Sequence, residues 1–426
     1  MRTSLRRFAW HLIPLASLSA CASTPAAAPS APVTATDAVA PAVPAALTFI
    51  EDDYARALAD ARAAHRPLFV DAWAPWCHTC LSMRAFTFRD AKVRAHAGDF
   101  TWASIDTEKP ENAAWVASHP MHSWPTLYVV DPEGDHIVLE WANSATADEL
   151  VALLAGARSS MHRPNGVVLP AGAATLEAKL DGLVGEKKLA ECAATAEREL
   201  PSIPLGGGRA TTTALRCAME VPEATREPAL GHLIERARTV VANDAEPILA
   251  DDRSDLYESI VDALDAEKRA PEAKQVATGW AAYLEAEAQR ASDPVARIVF
   301  DAHRLTAYMK LGEPERAVPM LEQSARDFPR DYNPPARLAR AYLTMKRYDE
   351  ALDAIGRALA LVYGPRTLGV YSLKANILEA KGDRAGAAAA LNEAVSKGRA
   401  MALPSHYAKA LDDLEKRAQA LSIVAH

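Results

Sequence analysis

Residues 67–80 read Pro67-Leu68-Phe69-Val70-Asp71-Ala72-Trp73-Ala74-Pro75-Trp76-Cys77-His78-Thr79-Cys80. The first seven form a short apolar run opened by proline, the pattern of a buried strand. A helical stretch follows to about residue 87. Two cysteines three residues apart therefore sit where a strand gives way to a helix. A thiol on the first helical turn faces the positive end of the macrodipole, where a thiolate is favoured. The second thiol is within reach to close a disulfide and release a mixed-disulfide partner. Cys77 is the expected nucleophile and Cys80 the resolving cysteine. Lowering a thiol pKa from about 8.5 to about 7 raises the thiolate fraction roughly fifteen-fold, and reduced nucleophilicity leaves a net gain of about three-fold. Proximity and docking outweigh activation.

Outward from this stretch the pattern alternates. Residues 51–64 read as a helix with Tyr54, Leu58 and Ala61 on one face. Strands fit 100–106, 126–130 and 136–141, with a turn at Pro132-Glu133-Gly134-Asp135, and helices fit 111–118 and 145–155. The order is αβαβαββα.

The segment from Val70 to Cys80, together with Ser123-Trp124-Pro125-Thr126, resembles the thioredoxin-like family. Within it the chain is most similar to the periplasmic C-terminal domain of the thiol–disulfide interchange protein DsbD, where a WCxxC motif also precedes a Phe- and Thr-rich segment, here Phe86-Thr87-Phe88. The resemblance implies a substrate-docking loop at Pro125. Its ring nitrogen carries no hydrogen, so neighbouring backbone groups are left for an extended substrate strand. It implies substrate contacts from Trp76, Trp124 and Thr126, and makes Asp71 the buried acid that moves protons for the resolving thiol. The family's usual lysine partner is missing, and Trp102 stands at its apparent place, so Asp71 is expected to rise in pKa by desolvation. His78 and Thr79 fill the variable positions; a histidinium beside the motif favours a thiolate and oxidising behaviour, whereas the DsbD likeness favours a reductant.

Other readings of the same residues stay open. A zinc site lacks a second CxxC, and a mixed site would need His119 or His122 to approach Cys77. Haem attachment would need a histidine where Leu81 stands. A thioredoxin-like fold with inert cysteines, and Asp71 as a satisfied buried carboxylate, are the remaining alternatives.

Beyond about residue 158 strand-like runs give way to apolar residues at i, i+3 and i+4, as in Leu230, Leu233, Ile234 and Ala237. A period then emerges: Ala317 and Leu321 recur as Ala351 and Ile355, and again as Ala387 and Leu391. Gly312 and Gly382 mark turns between helices. This resembles tetratricopeptide repeats, which stack helix pairs around small residues and present a concave docking surface. Cys192 and Cys217 lie on neighbouring helical stretches; a bridge is one reading and two separate buried thiols the other.

The N-terminus carries Arg2, Arg6 and Arg7, a short apolar stretch, and Leu18-Ser19-Ala20-Cys21. This reads as a secretory signal ending in a site that resembles the bacterial lipobox, which implies lipidation of Cys21. Removing three basic and no acidic residues leaves 44 basic against 55 acidic, a net charge of -11. Such a body does not hold anionic lipid, and it argues against nucleic acid as a partner. Residues 22–46, rich in Ala and Pro, read as a semi-extended tether.

The expected fold is multidomain: an α/β thioredoxin-like fold followed by an all-α tetratricopeptide-like repeat domain. The boundaries read as signal peptide 1–20, tether 21–46, thioredoxin-like domain 47–160, helical domain 161–293 and repeats 294–422. The expected function is a membrane-anchored, extracytoplasmic protein-disulfide oxidoreductase facing the periplasm, requiring no metal or organic cofactor. Its partners would be protein thiols and disulfides, a redox partner protein, and the membrane through its lipid. Ala22 and Ser23 tilt placement toward the outer membrane. The alternative is a non-catalytic envelope scaffold.

Overall fold

The fold was analysed in a computed structural model that describes residues 45–161, 172–222, 229–401, 403 and 407–423. The signal, Cys21 and nearly all of the tether lie outside the described residues.

Five strands form one sheet in the order β1 (Phe49–Glu51), β3 (Thr101–Asp106), β2 (Leu68–Trp73), β4 (Thr126–Asp131), β5 (His136–Ala142). β1 and β2 run parallel to β3, β2 and β4 are antiparallel, and so are β4 and β5. The near-continuous apolar runs of β2 and β4 are those of strands covered on both faces. β1 departs from the sequence reading, in which residue 51 opened a helix. Its three residues are too short for a period, and helix α1 (Tyr54–Ala64) starts only after Asp53, whose side chain accepts from Arg56 N.

α1 packs Ala57, Leu58 and Ala61 on one face of the sheet, against Val70, Ile105 and Tyr128. On the other face lie α2 (His78–Ala85), the short α3 (Ala91–Arg94) and α5 (Ala147–Ser160), around Phe69, Met83, Trp102 and Leu150. α5 opens on a capping box between Thr146 and Glu149. α4 (Ala113–Ser118) lies between β3 and β4.

From Ala173 onward every described regular element is helical. The small and apolar repeat positions Ala317, Leu321, Ala351, Ile355, Ala387 and Leu391 are all fully buried. Gly312 and Gly382 cap their helices in the left-handed region, and Lys346 takes that conformation in the unit between them. Cys192 and Cys217 are joined in a disulfide linking the helices Leu189–Glu199 and Gly208–Glu220. One hydrophobic core runs from Leu176 to Ile377 and takes in Ala85 of α2. Residues from Val43 onward thus form one compact unit, with the helices packed on the end of the sheet that carries the CxxC motif. Among the described residues no helix is long and apolar enough to cross a membrane.

Candidate functional site

Cys77 is the N-cap of α2. Its Sγ accepts a hydrogen bond from Cys80 N at 2.9 Å, and Cys77 and Cys80 are joined in a disulfide. The same N–H is placed to stabilise a Cys77 thiolate once the pair is reduced. Trp76 packs against Trp124, ring centroids 5.4 Å apart, and the Trp124–Pro125 peptide is cis. The Trp124 indole donates to Thr107 Oγ1. Thr126 is buried, and its hydroxyl donates to Ser123 O, so its side chain points into the loop. Pro125 O accepts from Asn143 N.

Asp71 is fully buried on β2. The parallel register sets Ser104 beside it and Trp102 beside Phe69, two residues along β3. Trp102, at the family's lysine position, offers no cation, and Ser104 is the acid's direct neighbour on β3. The cation comes instead from α2: Arg84 Nε lies 3.3 Å from Asp71 Oδ2, and its guanidinium sits 3.6 Å from the centre of the Trp73 ring. Burial pushes Asp71 up to about 6 against the pull of Arg84. Asp71 Oδ1 has no hydrogen-bond partner among the described residues. The arginine is a full turn past Cys80, and the sequence offers no period or motif that ties it to Asp71.

The unexpected feature is what covers the motif. Cys77 is 4 % exposed and Cys80 0 %. Asn333, from the repeat helices, donates to Pro75 O at 3.0 Å. The Arg366 guanidinium lies 5.3 Å from the Trp76 ring. Glu108 is buried between the two regions, accepting from Trp76 Nε1 (2.9 Å), Arg366 N (2.8 Å) and the Tyr407 hydroxyl (3.4 Å). Burial raises its pKa. The Tyr363 hydroxyl donates to Asp106, which burial pushes up to about 6. Beside the motif, Trp73, Pro75, Leu81, Phe328, Pro329 and Tyr332 line an open groove of about 450 Å³ along the seam.

His78 reaches the helix Ala250–Ala266, where its Nδ1 lies 2.9 Å from Asp251 Oδ2. His303, from the helix Asp301–Leu311, lies on the same carboxylate at 3.1 Å. Burial alone would raise Asp251 and lower His303, but the pull of His78 and His303 on the carboxylate, and of Asp251 and Glu258 on the imidazole, outweighs it. Asp251 is held well below the carboxylate range, and His303 rises to about 10. Further round, Ser144 donates to Asp252, which burial pushes up to about 8. Arg209 pairs with Glu149 of α5 and Glu177 of the array. His119 stacks on Trp115 and His122 pairs with Asp181, so neither is tied to the cysteine pair.

Comparison with known proteins agrees with this architecture. Residues 49–132 match the family model described as thioredoxin-like, and residues 308–377 match that of the tetratricopeptide repeat. The chain thus carries a thioredoxin-like domain followed by TPR repeats. No curated protein matches. Among solved structures, a set of nearly identical TPR-like repeats from Podosopora anserina shares 21 % identity, covering 44 % of this chain and 92 % of that one, with a TM-score of 0.33. The TPR2AB domain of yeast Sti1, solved with pHSP90, shares 15 % over 58 % of this chain and 98 % of its own, with a TM-score of 0.26. BtubC from P. vanneervenii shares 14 % over 54 % and 92 %, with a TM-score of 0.33.

Proposed function

We propose that this protein is a thiol–disulfide oxidoreductase acting on protein disulfides through Cys77 and Cys80, with its helical array as a cap over the motif. The observation that carries the reading is the pair itself: two bonded cysteines on the first turn of α2, with a backbone N–H directed at Cys77 Sγ. In the reductive direction the Cys77 thiolate attacks one sulfur of a substrate disulfide. The substrate bond breaks, its other sulfur leaves as a thiolate that takes a proton from water, and a Cys77–substrate disulfide forms. The Cys80 thiolate then attacks Cys77 Sγ, releasing the second substrate thiol and restoring the Cys77–Cys80 bond. A protein dithiol must reduce the pair again. The oxidative direction is the same sequence reversed. Asp71, buried and near pKa 6, is suited to accept the Cys80 proton.

Turnover on a protein substrate requires the buried Cys77 to become accessible, and in this reading the array, which touches Pro75, Trp76 and His78 around it, moves aside. The seam is mixed: Leu81, Ala85 and Phe86 pack against the apolar core of the array, and Asn333, Tyr363, Arg366 and His303 add polar contacts that water can replace on opening. We place the protein outside the cytoplasm, anchored through a lipid on Cys21. The lipobox-like site supports this, as does the buried Cys192–Cys217 bridge, which suits an oxidising compartment.

The burial of Cys77 favours a second reading, a scaffold whose thioredoxin-like domain is locked to its repeats. Trapping separates the two. In Cys80→Ser, a Cys77 that attacks substrates accumulates mixed disulfides that Cys77→Ser does not. If Cys80→Ser traps nothing from an oxidised protein mixture, the scaffold reading stands.

A further inference from the structure

We propose that His78, His303, Asp251 and Asp255 form a binding site for a divalent transition-metal ion that ties the helical array to the redox motif. One ligand atom each from His78, Asp255 and His303 can be chosen so that all lie within 4.8 Å of one another. His78 Nδ1 and His303 Nε2 are 3.1 Å apart. The Asp251 carboxylate spans them, 2.9 Å from the first and 3.1 Å from the second. Four donors at 2.0–2.2 Å from a tetrahedral metal stand about 3.3–3.6 Å from one another. The three closest donors need to spread by only a few tenths of an ångström to admit an ion. Asp255 lies one helical turn beyond Asp251, its Oδ1 4.0 Å from the other ring nitrogen of His78, Nε2, so joining an ion held on Nδ1 would take a turn of the imidazole as well as of the carboxylate.

Two further features fit a metal. His303 turns its other nitrogen, Nδ1, toward Glu258 Oε2 at 3.5 Å. A carboxylate behind a ligating imidazole is the usual device that fixes the tautomer and presents the opposite nitrogen. The charge also fits. Asp251, Asp255 and Glu258 carry three negative charges, and Arg216, 3.1 Å from Asp255, offsets one. With neutral imidazoles the remaining two suit a divalent cation. Imidazole and carboxylate donors select zinc, cobalt, nickel or copper over calcium and magnesium.

The site is built before any ion arrives. The side chains of His303 and Asp251 are 2 % and 0 % exposed. His78 comes from α2, next to Cys77, and the other residues come from the array, so a bound ion would clamp the cap beside the nucleophile. The competing state is a metal-free ion cluster in which Asp251 accepts from both imidazoles. The proposal does not depend on the redox reading, since it needs no thiol.

The test uses the whole chain with both disulfides closed, stripped by chelator and titrated with Co²⁺ alone. The expected result is one Co²⁺ per chain with tetrahedral d–d bands in the visible and no thiolate charge-transfer band. Zn²⁺ should displace it and raise the melting temperature. In His78→Ala, a partly exposed position, affinity should fall at least about a hundredfold, and the Zn²⁺-induced rise in melting temperature should vanish. His303→Gln should behave alike where it folds. A folded chain with no d–d bands, or bands and affinity unchanged in His78→Ala, would overturn the proposal.

Discussion

If the array caps the motif, loosening one contact of the cap should expose Cys77 without touching the redox machinery. Asn333 is the cleanest place. Its Nδ2 donates to Pro75 O at 3.0 Å and to Asp331 in its own loop, not to either cysteine. In Asn333→Ala the Pro75 carbonyl loses its partner only while the cap is closed; once open, water satisfies it. Leaving a buried acceptor unpaired costs about 1–3 kcal/mol. Pro75 is only partly buried, so the low end applies, about 1 kcal/mol. At 1.36 kcal/mol per decade this is about a five-fold rise in the open population. When opening is fast relative to labelling, the rate of alkylating Cys77 follows that population. The assay is iodoacetamide labelling of the chain reduced at the motif, with Cys77 followed by mass spectrometry at fixed pH. A rate within two-fold of the parent, in a variant that melts as the parent does, would refute the reasoning.

Four other outcomes are expected. Removing the Cys192–Cys217 bridge with alanines, at a separation of 25 residues, should cost about 3.5 kcal/mol by loop entropy, read as a fall in denaturant midpoint with the motif cysteines unaffected. Asp71 has a folded pKa near 6, above its unfolded value, so its charged form opposes folding and stability falls as pH rises from about 4 through 6. Asp71→Asn should therefore melt higher at pH 7, by up to about 3 kcal/mol, with little change at pH 4. Arg84→Met should push Asp71 higher and move the pH dependence of Cys80 attack upward. Lys346→Gly relieves a left-handed residue at φ 60° and should stabilise the repeats by up to about 1 kcal/mol, measured by urea melts.

Much of the fold could be read locally, because the forces that set it are local. The apolar runs of β2 and β4 and the 34-to-36-residue recurrence of Ala317, Ala351 and Ala387 each follow from side chains that must leave water. The partner of the buried acid is less legible: Trp102 stands at the family's lysine position, and the cation beside Asp71 is Arg84 of α2. Arg84 was missed because its partner is fixed by how α2 crosses the sheet. The cap could not be read at all. Asn333, Arg366 and His303 lie more than 200 residues from the motif they touch, and nothing in one chain's spacing links a lone histidine on a repeat helix to a carboxylate below a CxxC. The lipobox-like stretch ending at Cys21 lies outside the described residues, and the proposal of a lipid there rests on its sequence pattern.

The central claim is that Cys77 and Cys80 form a working couple and not a structural bridge. The most direct measurement is the equilibrium reduction potential of that pair in the whole chain, titrated against defined thiol–disulfide buffers and read by alkylation of each cysteine. The account predicts a reversible two-electron couple between roughly -270 and -120 mV, the range of catalytic dithiols, with Cys192 and Cys217 remaining oxidised. A Cys77–Cys80 bond that stays closed below about -300 mV, where structural disulfides lie, would contradict it.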